Sequence, residues 1–271
     1  MEHAATPFVR LRISSRLRRL YMALCVLFAT PNWVAFGIGT AVVALAELGV
    51  LLSYAALLRN RRLTTHGPYA VCRNPVYFCA CAHGFGLFIL SGGGSVSGTP
   101  FPQELWLVTP FGVLNPVVLV ASLLFLPLYA LHQHRRAVTE ERKLCSVWAE
   151  YRNYAASVPR FIPSLRGLLT LSFLKGGHFS WRVCVMNRAP SRAAKYFLVV
   201  PATLLFWRLK AGVSGIFFFD AWFWVGLGGV IVVGFLYWFL RRYSTAFEQF
   251  RNRDQPIPST ASQNGSYCGM E

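Results

Sequence analysis

Residues 34–58 read VAFGIGTAVVALAELGVLLSYAALL, twenty-five residues with a single acidic or basic side chain, Glu47. A helix needs about 20 apolar residues to cross the hydrocarbon core of a bilayer, so this run is long enough to span one. The rest of the chain agrees. Of 271 residues, 55% are hydrophobic and only 14% charged, against about 25% charged in a soluble domain. No long polar stretch separates two cores, which predicts one membrane bundle over residues 1–250. The remainder, 251–271 (RNRDQPIPSTASQNGSYCGME), is rich in Pro, Ser, Gly and Asn, a composition that predicts a disordered polar tail.

Further apolar runs set the number of crossings. Residues 215–239 are as long as the first run, and 106–131 form another, punctuated by Pro110, Pro116 and Pro127. Those prolines predict kinks, tolerable where neighbours satisfy the freed carbonyls. Residues 75–91 and 195–209 are shorter, and 20–32 shorter still. Arg10 to Arg19 followed by LYMALCVLFAT resembles a signal peptide, but a second apolar run starts at Val34, so a retained hydrophobic hairpin is the better reading. The fold expected is an all-α polytopic bundle of about six apolar elements.

Charge then orients it. Lys and Arg number five in 10–19, four in 59–73, twelve in 132–195 and four after 240, whereas 92–105 carries none. Six crossings place 25 of the 27 on one side, the cytoplasmic side by the positive-inside rule, together with both termini. The net charge of +17 is spread between apolar runs rather than over one soluble face. That distribution fits membrane lipids and argues against a nucleic-acid partner. Seven cysteines, scattered and odd in number, read as free thiols.

Two polar constellations fall on the cytoplasmic side. In THGPYAVCRNPVYF, residues 65–78, Gly67-Pro68 is turn chemistry, Asn74 a good N-cap and Pro75 a good first helical residue. A helix start beside Arg73, with Tyr77 in its first turn, suits a carboxylate or phosphate. It equally suits an interfacial anchor. The second is HQHRRAVTEERKLCSVWAEYRNYAASVPRFIPSL, residues 132–165. Thr139 can cap a helix opening with Glu140 and Glu141, or the preceding span continues through them. Leu144, Trp148, Tyr151 and Tyr154 recur at helical spacing, predicting an amphipathic surface helix that ends at Pro159 and Pro163. Such a helix can also simply hold anionic headgroups.

Other residues invite readings of their own. Glu47 is an ionisable group in mid-span, a functional candidate by position, although a protonated Glu bonded to a neighbouring helix is the favoured reading. Cys79, Cys81 and His83 (CACAH) include only one pair on a shared helical face, too few ligands for zinc. With Gly84 and Gly86 they read as small residues for close helix packing. His132 and His134 sit at the membrane boundary, where either can act as a base. Asp220 lies near the outer end of the last span.

A GPY…RxPxY loop and helix, followed some 60 residues later by EE…L…W…Y…Y…VPRFIP, resembles the isoprenylcysteine carboxyl methyltransferase and phospholipid methyltransferase superfamily of integral membrane enzymes. The resemblance covers roughly residues 34–165, with 195–239 as additional spans. It implies S-adenosylmethionine as cofactor and a lipophilic or lipid-linked acceptor, with catalysis at the cytoplasmic surface. His66, Gly67, Pro68 and Tyr69 would form part of the cofactor wall. Arg73, Asn74 and the helix start bearing Tyr77 would meet the methionine carboxylate, and Glu140 and Glu141 cationic or hydroxyl groups. Arg135 and Arg136 match the family's basic pair, which would orient the acceptor's headgroup. No metal is required. The family carries Asn or His after the arginine; Asn74 fits it but leaves the acceptor open. The rivals are a sterol-type NADPH-dependent reductase, which would end soon after Pro163, and a non-catalytic scaffold.

Overall fold

The structure, a computed structural model, describes residues 15–57, 63–92, 107–109, 112–114, 116–173, 179–213 and 220–251. The expected polar tail beyond Arg251, most of the outward loop at 92–105 and part of the Arg10–Arg19 cluster lie outside these residues. The described chain is helical apart from one short hairpin. In order come α1 (Ser15–Leu27), α2 (Trp33–Ala56), a 3₁₀ turn (Gly67–Ala70), α3 (Pro75–Ser91), β1 (Leu107–Thr109), β2 (Gly112–Leu114), α4 (Pro116–Val147), α5 (Tyr151–Ser157), α6 (Leu165–Leu169), α7 (Trp181–Met186), α8 (Ala189–Phe197), α9 (Val199–Val213) and α10 (Ala221–Arg251).

Proline positions explain two departures from the predicted spans. The run 106–131 is divided: β1 and β2 pair antiparallel, Leu107 opposite Leu114, and the helix begins only at Pro116. Proline lacks the N–H that a helix interior uses but is at home in the first turn, so Pro116 starts α4. Pro127 is retained inside α4. The span predicted over 195–209 is built from α8 and α9, which meet at Leu198. Pro201 cannot donate to the carbonyl of Phe197 four residues back, and the helix is interrupted there. The helical path still persists, since Leu198 N–H reaches Ala194 O at 3.0 Å and Ala202 N–H reaches Leu198 O at 3.2 Å.

Among the described residues three helices are long and apolar enough to cross a membrane, Trp33–Ala56, Val117–Val147 and Ala221–Ser244, with Pro75–Ser91 shorter. Their outward faces are apolar: Leu123, Val232 and Phe235 are each about two-thirds exposed. A bilayer accepts such faces without the hydration cost water would impose. The core between the helices is drawn from α1, α2, α3, α4 and α9, with Tyr21, Val43, Leu87, Leu90, Phe125, Tyr129 and Val199 buried together.

The tightest packing is between α2 and α3, and glycine permits it. A Cβ on Gly39 would sit 2.4 Å from the backbone nitrogen of Leu90. This approach fixes the register that brings Glu47 of α2 against His83 of α3. At one end of the bundle Thr30 N–H bonds Ser91 O at 3.2 Å, and Lys210 Nζ donates to the terminal carbonyls Leu27 O and Ala29 O. Trp33 there packs on Trp207 and Trp222 at 4.8 and 4.9 Å between ring centroids, like an interfacial aromatic belt. Asp220 caps α10 rather than lying within it, accepting from Phe223 N–H at 2.9 Å and pairing with Arg208. The polar constellations gather at the opposite end.

Candidate functional site

The turn at residues 66–72 is held from both sides. Gly67 has φ +64°, a left-handed conformation that glycine adopts without penalty. Tyr154 OH donates to Tyr69 O at 2.7 Å; Arg73 N–H reaches Pro159 O, and Ser164 N–H reaches Val71 O, both at 2.9 Å. The VPRFIP stretch is thereby clasped along 71–73. Cys72 lies beneath, its thiol pointing at Phe161 O at 3.1 Å. Burial pushes that thiol up to about 11, so it stays protonated and unreactive at neutral pH.

Pro75 opens α3 as predicted, and Asn74 occupies the N-cap position, but its side chain does not cap the helix. It donates instead to Glu141 Oε1 at 2.6 Å and to Arg160 O at 3.0 Å. Arg73 Nη1 approaches Glu141 Oε2 at 3.3 Å, and Arg160 Nε at 3.0 Å. The two constellations thus meet at one carboxylate that is only 1% exposed. Glu140, next along α4, faces the other way and accepts from Tyr77 OH. The Arg136 guanidinium lies 5.1 Å from the centroid of the Tyr77 ring. Thr139 does not cap; its hydroxyl bonds Arg135 O at 2.9 Å within a helix that runs on to Val147.

A cavity of about 800 Å³ opens beside this cluster, within the usual size range of small-molecule sites. Of the residues expected at the site, Tyr69, Arg73, Asn74, Tyr77, Arg136 and Glu140 border it. The others do not. His66, Gly67 and Pro68 shape the turn behind Tyr69, with Gly67 and Pro68 buried. Arg135 is exposed and off the cavity, because one helical residue turns the side chain by about 100° from Arg136. Glu141 lies under the wall rather than in it: its carboxylate is engaged by Arg73, Asn74 and Arg160, leaving it to position those groups.

Several residues contribute in ways the sequence does not assign to them. The predicted surface helix from Leu144 onward is two pieces, the end of α4 and then α5, broken at 148–150. The break turns Trp148, Tyr151 and Tyr154 into the cavity wall. Arg160 sits inside the quoted VPRFIP motif, yet only the fold shows that it reaches Glu141. Arg192 and Tyr196 come from α8, so the C-terminal region completes the cavity.

The cavity floor carries a second polar group. Glu47 Oε1 lies 2.8 Å from His83 Nδ1, and both side chains are more than nine-tenths buried. The structure sets the glutamate against a neighbouring helix, beside the histidine of the CACAH run, but without an aligned hydrogen bond to its Nδ1. Tyr196 packs edge-on against His83 at 5.3 Å, Arg18 lies over the Tyr196 ring, and Arg192 Nη1 donates to Tyr54 OH at 3.0 Å. Among the described residues no three His, Cys, Asp or Glu side chains gather as a metal site would require.

No protein-family model matches the chain, and no solved structure matches it. Among known proteins it is similar to the cobalt-zinc-cadmium resistance protein CzcN of Cupriavidus metallidurans, 26% identical over 171 residues, or 60% of this chain. The match spans 64% of that relative's length, a little under two thirds.

Proposed function

We propose that this protein transfers a methyl group from S-adenosylmethionine to a lipophilic or lipid-linked acceptor at the cytoplasmic membrane surface. The observation that carries the reading is the 2.6 Å bond between Asn74 and Glu141, which joins the two motif segments of the resemblance beside one cavity. Six crossings with the cavity mouth cytoplasmic would gather nearly all the Lys and Arg on that side, as the positive-inside rule requires.

The residues present fit the cofactor. Arg73 Nε is buried without a hydrogen-bond partner, and the start of α3 lacks a side-chain cap. Both suit a carboxylate, which the positive end of a helix dipole also favours. Glu140 suits an ammonium or a ribose hydroxyl. The faces of Tyr69, Tyr77 and Trp148 suit a cationic sulfur. S-adenosylmethionine would supply an electrophilic methyl group on that sulfur. Transfer disperses positive charge, so walls that exclude water and fix the two reactants in line favour it. Arg136, at the mouth beside Glu140, is placed to orient the acceptor.

The relative's name refers to metal resistance. The test is calorimetric titration of the detergent-purified protein with S-adenosylhomocysteine and, separately, with NADPH. Binding of S-adenosylhomocysteine alone is expected. Binding of NADPH alone would favour the reductase, and binding of neither the scaffold.

A further inference from the structure

The polar groups on the floor of the cavity are incompletely satisfied. Glu47 lies nine residues before the end of α2 and His83 eight residues after the start of α3, which puts the pair about 12–14 Å below the mouth. Ser53 and Ser91 in these helices each bond the carbonyl four residues back. Glu47 Oε2 and both ring nitrogens of His83 have no hydrogen-bond partner in the protein, Nδ1 lying 2.8 Å from Glu47 Oε1 without hydrogen-bond alignment. Buried polar atoms of this kind are costly unless something pairs with them, and both residues border the cavity.

The surrounding charge narrows what that partner is. Arg18 and Arg192 also line the cavity, so an ammonium ligand would meet two guanidinium groups. A carboxylate would meet Glu47, and would have no proton for the histidine to take. A neutral group with an acidic O–H can donate to His83 Nε2 without opposing either the carboxylate or the guanidinium groups. The Glu47 carboxylate favours the histidine tautomer protonated at Nδ1, leaving Nε2 as the acceptor. The aromatic and aliphatic walls, Tyr21, Leu87, Phe125 and Tyr129, suit an apolar body.

We infer that the Glu47–His83 pair binds the hydroxyl of a lipophilic phenol or enol, which donates to His83 Nε2. The site lies on the floor of the cavity whose mouth the methyltransferase reading assigns to the cofactor, and it stands or falls separately from that reading.

The probes are 4-nonylphenol and its methyl ether, 4-nonylanisole, titrated against the detergent-purified protein; the ether controls for partition into micelles. The phenol should bind about tenfold tighter or more, as expected for a buried bond to a charged pair. In Glu47→Gln and His83→Gln the preference should fall to within about twofold, with S-adenosylhomocysteine binding at the mouth retained. Equal binding of phenol and ether by the wild type would overturn the inference whether or not the variants fold. So would a preference that survives in both variants. A phenol preference without S-adenosylhomocysteine binding would leave the site standing and remove the methyltransferase reading. The reverse result would do the opposite.

Discussion

Replacing Glu141 with alanine tests whether this carboxylate organises the site rather than touching a ligand. It is 1% exposed and accepts from Asn74 at 2.6 Å, Arg160 at 3.0 Å and Arg73 at 3.3 Å. Each bond to a charged group is worth about 1.5–3 kcal/mol, but the three share one acceptor and do not add. The larger consequence is that Arg73, its side chain only 10% exposed, loses its counter-ion inside the protein. Breaking a buried ion pair from one side costs about 3–5 kcal/mol. For a chain of this size that corresponds to a fall in melting temperature on the order of 10 °C. Glu141→Gln should be nearly as harmful, because its one amide oxygen can serve Asn74 but its NH₂ then faces two guanidinium donors. Replacing Arg73 and Glu141 together by methionine should recover much of the stability, since no buried charge is left unpaired, while binding of S-adenosylhomocysteine stays lost. The assay is thermal unfolding in detergent, paired with calorimetric binding. Glu141→Ala melting within about 2 °C of wild type and binding normally would refute the reasoning, because a buried ion pair cannot be broken at so small a cost.

Two further substitutions probe neighbouring features. Glu140→Ala removes an exposed carboxylate whose partner is Tyr77. It should weaken S-adenosylhomocysteine binding about fivefold with an unchanged melting temperature, since exposed charges contribute about 1 kcal/mol or less to stability. Loss of stability without loss of binding would assign it a purely structural part. Gly39→Ala places a methyl group 2.4 Å from the Leu90 backbone nitrogen, whereas a Cβ on Gly37 meets nothing within 4 Å. The first should cost about 1–3 kcal/mol by forcing α2 and α3 apart, and the second close to nothing. Equal melting temperatures in the same detergent would show that the helices can separate freely.

The apolar run at 34–58 and the start of a helix at Pro75 were legible in the sequence because both rest on local rules. Twenty-odd apolar residues have few places to go but a bilayer, and proline at a first helical turn needs only its own backbone geometry. The two motif segments were legible as a pair for the same reason: each is a contiguous string. What each side chain does within them was not. Asn74 reads as a helix cap from its position, yet a buried carboxylate 67 residues later claims its amide. Glu140 and Glu141 are identical letters side by side. The 100° step of the helix alone sends one to the cavity and the other beneath it. Glu47 and His83 were each visible as polar residues in apolar runs. Their pairing depended on how closely α2 and α3 approach, which Gly39 permits only in the folded bundle. The break at 148–150 and the contribution of α8 were likewise tertiary matters, because they are set by what packs against the chain there. The sequence by itself determined the membrane class, the helix start at Pro75 and the segments that carry chemistry, through hydrophobic length, proline geometry and motif order. Only the tertiary structure decided which of those polar groups satisfy one another and which are left facing a cavity, because hydrogen-bond partners are chosen by proximity in space and not by distance along the chain.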